Sequence, residues 1–379
     1  MSENQVGLLG AGLSTFGRHT GKRIEDLAYQ AIDTALSIAE IEPADVDAVY
    51  VGNVFGPSGV GSRVLRAAGL TGIPVIRVEA ACASGTLAAH LAVQDVRERS
   101  RTCVLAVGVE QMSMLFNGAI VPENSDSEGA LGLAMPGMYA LSASRYMSEH
   151  KLDPDALGLV AVKNRANGVR NRYAQRQLGV SLEDVMASRM IADPLTVLQC
   201  CPVSDGAAAA VFGAIPRHPA TVRVGASAFV AGRAWPADID EPWGVACVRR
   251  AAQEAAKQLG RPSLVGMDLY EVHDAFTIGE LTTIEGLGLC DTGQASRLLM
   301  DGDLHPDGRM PVNVSGGLLS RGHALGATGL AQIAQCFEQL TDRAGTAQLA
   351  SANTALIETL GGGASGLDGN AAVVMTLET

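Results

Sequence analysis

The stretch DAVYVGNVF at residues 47–55 returns 221 residues later as DLYEVHDAF at residues 268–276. Each copy follows a helical pattern and is typical of a buried strand. A second pair, DGAAAAVF at 205–212 and DGNAAVVM at 368–375, places an Asp-Gly turn signal before an apolar strand. Strands that alternate with helices imply parallel sheets covered on both faces. We therefore predict a duplicated α/β protein with its functional site where the two halves meet.

The two halves differ by one long segment. Nearly a hundred residues separate the strand pattern at 104–108 from Asp205, and the second half has no counterpart to them. We place an inserted loop domain at about residues 115–200 of an N-terminal half 1–215, followed by a C-terminal half 216–379. Helical patterns within the insertion cover residues 140–150 and 157–177.

The insertion also carries the most basic stretch of an acidic chain. Its arginines are Arg165, Arg170, Arg172 and Arg176. Two interpretations stay open, because a run of charge is usually a solvated helix face but can also bind the phosphates of a nucleotide-bearing substrate.

Composition excludes several classes of function. The formal net charge of −12 argues against a nucleic-acid partner or an anionic membrane surface. No signal-peptide pattern and no run of eighteen apolar residues occurs, so we expect a cytoplasmic protein without a membrane span. The seven cysteines have neither disulfide-framework spacing nor a Cys-x-x-Cys pair, and the seven histidines are scattered. We therefore expect reduced thiols and no bound metal.

One cysteine stands at a promising position. Cys82 lies in EAACASG at residues 79–85, where a short strand pattern gives way to small residues and then to a helix. At such an elbow the helix dipole favours a thiolate, and free backbone N–H groups can hold a developing oxyanion. The alternative is an inert thiol, since most free cysteines are small buried hydrophobic residues.

Two histidines accompany this cysteine at the ends of predicted strands. His273 ends the strand in VHDAF at 272–276, and His323 precedes a helix in SRGHALGATG at 320–329. A glycine run, LGGG at 360–363, follows another strand. A thiol needs a base, and a thioester carbonyl needs donors where its oxygen becomes negative. Each histidine alone could be structural, but together these groups predict a site for acyl transfer.

The combined motifs resemble those of the thiolases. AACASG at 80–85, HDAF at 273–276, GGLLSRGHALGATG at 316–329 and GGG at 361–363 occur in the order typical of that family. The histidine of HDAF and the segments at 188–194 and 200–207 are similar to the sterol-carrier-protein-type branch. The resemblance covers nearly the whole chain. It implies the α/β thiolase fold, in which duplicated halves form a five-layered αβαβα core with an inserted loop domain, and a homodimer or homotetramer.

The resemblance also implies roles for individual residues. Cys82 would be the nucleophile that takes an acyl group from a coenzyme A thioester, and His323 would accept its proton. His273 would help to form one oxyanion hole, and the backbone N–H groups of Cys82 and Gly361 would form the other. The implied activity is that of an acyl-CoA C-acyltransferase, which forms or thiolytically cleaves 3-oxoacyl-CoA through acyl-Cys82. Coenzyme A thioesters are then substrates, with no permanently bound cofactor.

The sequence departs from the family at three positions. Thr359 stands where degradative thiolases carry a second cysteine, and Ala275 stands where the sterol-carrier branch often carries an alternative one. Ala324 replaces the proline of the usual Gly-His-Pro, so the loop that holds His323 lacks a fixed φ. The second cysteine normally moves the α-proton of the acceptor. A water, His323 itself or Cys290 could substitute for it.

Two other activities fit the missing cysteine. An acyltransferase could use a carbon acceptor that is not a coenzyme A thioester, because an electron-rich carbon needs less help with proton removal. Alternatively, the chain could be a non-catalytic or aldolase-like acyl-CoA-binding subunit that works with an OB-fold partner protein. Retention of Cys82 and His323 counts against the aldolase, which needs no acyl-enzyme.

Overall fold

The computed structural model describes residues 5–120, 126–215, 217–218, 221–235 and 240–379. The strands are β1 (Val6–Leu13), β2 (Ala48–Gly52), β3 (Val75–Val78), β4 (Cys103–Gln111), β5 (Met190–Ala192), β6 (Leu195–Thr196), β7 (Asp205–Ala214), β8 (Val222–Ala231), β9 (Leu269–Glu271), β10 (Thr354–Gly361) and β11 (Ala371–Glu378). The helices are α1 (Ile24–Ala39), α2 (Val60–Ala67), α3 (Ser84–Arg97), α4 (Ser127–Ala130), α5 (Met135–His150), α6 (Pro154–Val169), α7 (Leu182–Ala187), α8 (Val245–Gln258), α9 (Thr277–Gly286), α10 (Ala295–Met300), α11 (Gly317–Arg321) and α12 (Leu325–Leu340).

Nine of the described strands form one mixed sheet in the order β3-β2-β4-β7-β1-β8-β11-β10-β9. The pairs β2–β3, β2–β4 and β9–β10 are parallel, and the other neighbours are antiparallel. The prediction of parallel sheets is therefore wrong for most pairings. In each half the strand that begins near the Asp-Gly signal, β7 or β11, is antiparallel to its neighbours. The connection from β10 to β11 contains no crossover helix, which a parallel pair would require.

The duplication and the layered core are confirmed. The repeated stretches become β2 and β9, and the Asp-Gly repeats lead into β7 and β11. Helices α3 and α12 pack against each other and contact strands of both halves of the sheet, while α1 covers the outer face of the first half and α8 that of the second. The layers are thus α1, a half-sheet, α3 with α12, a half-sheet, and α8. A short pairing of β1 with β8 joins the two half-sheets.

The predicted insertion contains α4 to α7 and the small β5–β6 hairpin. The second helical pattern was predicted to continue to residue 177, but α6 ends at Val169. The chain turns there because the following residues bond to other segments: Asn171 Nδ2 donates to Ser315 O over 2.8 Å, and Phe16 N–H donates to Tyr173 O over 2.9 Å. The division at 215/216 adjoins position 216, which lies outside the described residues, and stays a prediction.

No helix in the described part of the chain combines the length and apolar character needed to cross a membrane.

Candidate active site

Cys82 lies on a tight turn between β3 and α3, two residues before the helix begins. Ala81 has a left-handed backbone with a φ of 49°. The Ser84 hydroxyl holds the turn, because its oxygen accepts the Ala80 N–H over 2.9 Å and it donates to Ala81 O over 2.6 Å. The predicted elbow is therefore present, with the thiol at the positive end of the α3 dipole.

The His323 ring contacts the Cys82 thiol directly. Its Nε2 lies 3.1 Å from Cys82 Sγ, and its Nδ1 lies 2.7 Å from Thr328 Oγ1. The Thr328 hydroxyl donates its own proton to Ala324 O over 3.0 Å, so its oxygen accepts from His323 Nδ1–H. This bond assigns the proton to Nδ1 and leaves Nε2 as an acceptor. His323 is thus arranged to take the proton of the thiol.

The loop that carries His323 is fixed without the usual proline. The His323 N–H lies 3.0 Å from Ser204 Oγ and 3.3 Å from Pro202 O, and Val203 forms a bridge with His323. Ala324 has a φ of −95°. Hydrogen bonds to the segment before β7 therefore restrain the backbone where a proline ring would otherwise do so.

His273 completes a compact group with the other two side chains. Its ring centroid lies 5.2 Å from that of His323, with an interplanar angle of 76°, and ligand-type atoms of Cys82, His273 and His323 all lie within 4.8 Å of one another. His273 is 2% exposed, and its Nδ1 has no hydrogen-bond partner within the described part of the chain. A buried, unpartnered ring nitrogen suits a substrate oxygen. The expectation that no metal binds stays a prediction.

Burial keeps all three groups neutral at rest. It raises the pKa of Cys82 to about 12 and lowers that of His273 to about 3. Burial, followed by repulsion from His273 and Arg321, lowers the pKa of His323 well below its ordinary value. A resting thiolate–imidazolium ion pair is therefore disfavoured, and any attack by the sulfur would have to be accompanied by proton transfer.

The glycine run approaches Cys82 closely. A Cβ atom on Gly361 would lie 2.1 Å from Ala80 O, and one on Gly362 would lie 2.4 Å from the Trp243 ring. Burial raises the pKa of the Cys82 thiol, and backbone hydrogen bonds from Gly362 and from Cys82 itself partly offset that rise. The N–H that faces the sulfur thus belongs to Gly362, whereas the oxyanion role of Gly361 stays a prediction.

A buried polar network holds the segment of His273 in place. Asp274 accepts the Leu318 N–H of α11 over 2.6 Å, and Asn164 Nδ2 donates to Asp274 over 2.8 Å and to Glu280 over 2.7 Å. Lys163 Nζ lies 3.1 Å from Glu280 Oε1, and both side chains are buried. These bonds join α6, α9 and α11 around the end of β9. Sequence reasoning missed Lys163 and Asn164, although a polar pair directly after the apolar run 156–162 was a visible signal.

The positions of the missing cysteine offer no substitute. The Thr359 side chain is fully buried, and its hydroxyl donates to Gln332 Oε1 over 2.8 Å. Cys290 follows α9, and the charges that raise its pKa, after burial, are those of Glu285 and Asp291. Its predicted role as a substitute receives no support from this location.

Two of the four arginines of the insertion are engaged by groups of the protein itself. The Arg165 guanidinium donates to Leu178 O over 3.0 and 2.6 Å, and Arg172 pairs with Glu338 over 2.5 Å. These two therefore have structural roles, which favours the interpretation that does not involve phosphate.

A cysteine that sequence reasoning did not assign also reaches the site. The Cys201 N–H donates to Ala275 O over 2.9 Å, and the charge of Cys82 helps to raise the pKa of Cys201, after burial and Cys200. Tyr139 lies nearby, because Cys82 and Cys201 both contribute to the rise of its pKa. Cys201 lies in the segment 200–207 that resembles the sterol-carrier-protein-type branch, but that resemblance assigned it no role, and Tyr139 belongs to no motif identified in the sequence.

A thiol that follows β3, paired with an imidazole just before α12 in a duplicated, five-layered α/β fold, defines an enzyme of the thiolase class. The thiolase N-terminal domain family matches residues 7–214, and the thiolase C-terminal domain-like family matches residues 220–374. The chain belongs to the thiolase family, and it is an acyltransferase. Members of this family act on coenzyme A thioesters.

Similar proteins agree with this assignment. An acetyl-CoA acetyltransferase of Methanothermobacter thermautotrophicus is 36% identical over 94% of this chain and 96% of its own length. Sterol carrier protein 2 of Gallus gallus is 35% identical over 99% of this chain and 72% of its own length. Among solved structures, an Ltp2-ChsH2(DUF35) aldolase has a TM-score of 0.84 at 24% identity, over 98% of this chain and 97% of that chain. At that identity the likeness concerns the fold alone.

Proposed function

We propose that this chain is an acyl-CoA C-acyltransferase that forms or thiolytically cleaves the carbon–carbon bond of a 3-oxoacyl-CoA through an acyl-Cys82 intermediate. The observation that carries the proposal is the 3.1 Å contact of His323 Nε2 with Cys82 Sγ, with Nδ1 already bonded to Thr328. A base oriented by a third group beside a thiol is the arrangement that nucleophilic catalysis requires.

In the first half-reaction, Cys82 Sγ attacks the thioester carbonyl of an acyl-CoA while His323 Nε2 takes the thiol proton. The bond from the carbonyl carbon to the coenzyme A sulfur breaks, and the departing thiolate receives that proton. The products are acyl-Cys82 and free coenzyme A. The N–H groups of Cys82 and the glycine run would stabilise the negative oxygen in between.

In the second half-reaction, the acceptor loses an α-proton and its carbon attacks the carbonyl of acyl-Cys82. The unpartnered Nδ1 of His273 supports a role for this ring beside the acceptor oxygen. Because burial lowers the pKa of His273 to about 3, the ring would act as a neutral donor. The carbon–carbon bond forms as the bond to Cys82 Sγ breaks, and the thiol is restored.

A second candidate is an aldolase-like or acyl-CoA-binding subunit that works with an OB-fold partner protein. It is favoured by the absence of a usable group at the two customary cysteine positions, where Ala275 has no polar side chain and the Thr359 hydroxyl is bonded to Gln332. Transfer to a carbon acceptor that is not a coenzyme A thioester has the same support. A homodimeric or homotetrameric state and a cytoplasmic location belong to the proposal as well.

Intact-protein mass spectrometry after brief incubation with acetyl-CoA, acetoacetyl-CoA and longer 3-oxoacyl-CoAs tests the first candidate. We expect a single acyl adduct on the wild type and on Cys290→Ala, the matched cysteine control, but none on Cys82→Ala. The best donor would identify the acyl class. An adduct that survives Cys82→Ala would contradict the mechanism, and no adduct from any donor would favour the aldolase-like or binding subunit.

A further inference from the structure

We propose that Cys201 is the second catalytic thiol of this enzyme, the group that moves the α-proton of the acceptor in place of the cysteines missing at Ala275 and Thr359. The inference rests on the proposed function and adds to it the residue that performs its carbon-acid step. It is carried by the path of the chain, by the partial exposure of the two cysteine residues and by the charges around Cys201.

The backbone places Cys201 between the segment that carries His273 and the segment that carries His323. On one side its N–H donates to Ala275 O over 2.9 Å, and Cys200 forms a bridge with Phe276. On the other side the next residue, Pro202, accepts the His323 N–H at 3.3 Å. Cys201 therefore lies beside position 275, where the related branch places its alternative cysteine.

Cys82 and Cys201 are more exposed than the histidines and Ala275 around them. Cys82 and Cys201 are half-buried. By contrast, His273, Ala275 and His323 are 2%, 5% and 6% exposed. Both cysteines therefore retain some accessible surface beside nearly buried neighbours, and we infer that an acceptor binds between them. The nearly buried His273, whose Nδ1 has no partner among the described residues, belongs to the same group of side chains as Cys82, and its ring would give the acceptor oxygen a donor.

The charges around Cys201 connect it to the reacting groups. The charge of Cys82 raises the pKa of Cys201, and the charges of both cysteines raise the pKa of Tyr139. Burial, followed by Cys200, Cys82 and Asp274, raises the pKa of Cys201 well above its ordinary value. The Arg176 guanidinium acts in the opposite direction, because a Cys201 thiolate raises the pKa of Arg176 and the interaction is reciprocal. Cys200 differs, because its Sγ lies 3.3 Å from Thr196 O and is engaged there.

The proton transfers balance without an added reactant. With Cys82 acylated, Cys201 gives its thiol proton to His323 Nε2 as its sulfur takes the α-proton of the acceptor, so that no free thiolate forms. The enolate carbon bonds to the acyl carbon, and the bond to Cys82 Sγ breaks. The Cys82 thiolate then takes the proton from His323. In thiolysis the same steps run in reverse, with Cys201 protonating the departing carbanion.

The test separates acylation from proton movement. Wild type, Cys201→Ser, Cys201→Ala and the neighbouring control Cys200→Ser are compared for the rate of acyl-Cys82 formation, for condensation, and for loss of deuterium from α-deuterated acetyl-CoA into water. We expect both Cys201 variants to acylate within about threefold of wild type but to lose condensation and deuterium exchange by about 10² to 10⁴, the usual contribution of a general acid–base group. Cys200→Ser should keep all three rates.

Each outcome separates the two proposals. If wild type forms acyl-Cys82 and the Cys201 variants still condense and exchange within about threefold of it, Cys201 is not the acid–base group. If wild type forms no acyl-Cys82, the proposed function itself fails and Cys201 loses its role with it. A urea unfolding midpoint for each variant shows whether it folds. The serine and alanine variants are both used because one of the two side chains could pack poorly at this position. A purely structural role of Cys201 would lower acylation together with exchange, which would also overturn the proposal.

Discussion

The bond between His323 Nδ1 and Thr328 Oγ1, at 2.7 Å, provides a sensitive test of how the thiol is activated. Thr328→Val removes the hydroxyl while conserving the shape of the side chain. The bond exists before reaction as a neutral hydrogen bond, and it becomes charge-assisted once His323 Nε2 holds the Cys82 proton. Only the gain between these two states affects the rate.

The size of that gain follows from typical hydrogen-bond strengths. A neutral bond contributes about 0.5–1.5 kcal/mol and a bond to a charged group about 1.5–3 kcal/mol, so the transition state loses about 1–2 kcal/mol more than the ground state. That difference corresponds to a decrease of about 5-fold to 30-fold in the rate of acyl-Cys82 formation. Rapid-quench mass spectrometry with acetyl-CoA in excess measures this rate directly.

Thr328→Ser is the matched control, because it keeps both the acceptor for Nδ1–H and the bond to Ala324 O. We expect it to acylate close to the wild-type rate. Equal rates for the valine and serine variants would refute the inference that Thr328 fixes the proton on Nδ1. Thermal unfolding of both variants corrects for any change in the start of α12.

Two further predictions concern stability. Lys163→Met should destabilise the protein by about 3–5 kcal/mol in urea unfolding, because it leaves the buried carboxylate of Glu280 without its cation. Lys257→Met, at an exposed lysine, is the control and should have no measurable effect. Equal unfolding midpoints for the two variants would disprove the importance of the buried pair. Burial raises the pKa of Glu358 from 4.5 to about 8, so between those values the folded state binds more protons than the unfolded state and this contribution to stability falls as the pH rises. Glu358→Gln should therefore gain more stability over wild type at pH 8 than at pH 5, and a constant difference would contradict this.

Some parts of the fold and the site could be predicted because they depend on local patterns. The repeat of strand 47–55 at 268–276 indicated two copies of one unit, and residues that follow strands in such units meet at a common edge. The structure accordingly brings Cys82, His273 and His323 within reach of one another. The elbow before α3 was also visible, because small residues separate a strand pattern from a helix pattern.

Other parts depend on pairings between distant segments, which a single sequence does not display. The direction of β7 and β11 required knowing which strands lie beside them, and alternation of strands and helices suggested the wrong direction. The place of Cys201 depends on its hydrogen bond to Ala275, 74 residues away. Likewise, the hydroxyl of Thr359 is removed from catalysis only by Gln332 of α12.

The neutral state of the thiol and the imidazole has a consequence for the pH dependence of acylation. Burial raises the pKa of Cys82 to about 12 and lowers that of His323 well below its ordinary value, so neither group changes its protonation between about pH 6 and pH 9. If only the freely ionised thiolate reacted, the acylation rate would rise about tenfold for each unit of increase in pH, as long as the pH is below the pKa of the thiol. Transfer of the proton to His323 during attack removes that dependence.

We therefore expect the rate of acyl-Cys82 formation to lack a tenfold-per-unit rise across this range. Any inflection near neutral pH should come from Glu110, whose pKa burial raises to about 7 and whose charge disfavours a Cys82 thiolate, and Glu110→Gln should remove it. A steady tenfold rise per pH unit would instead mean that free thiolate is the reactive species. His323 would then orient the thiol without taking its proton.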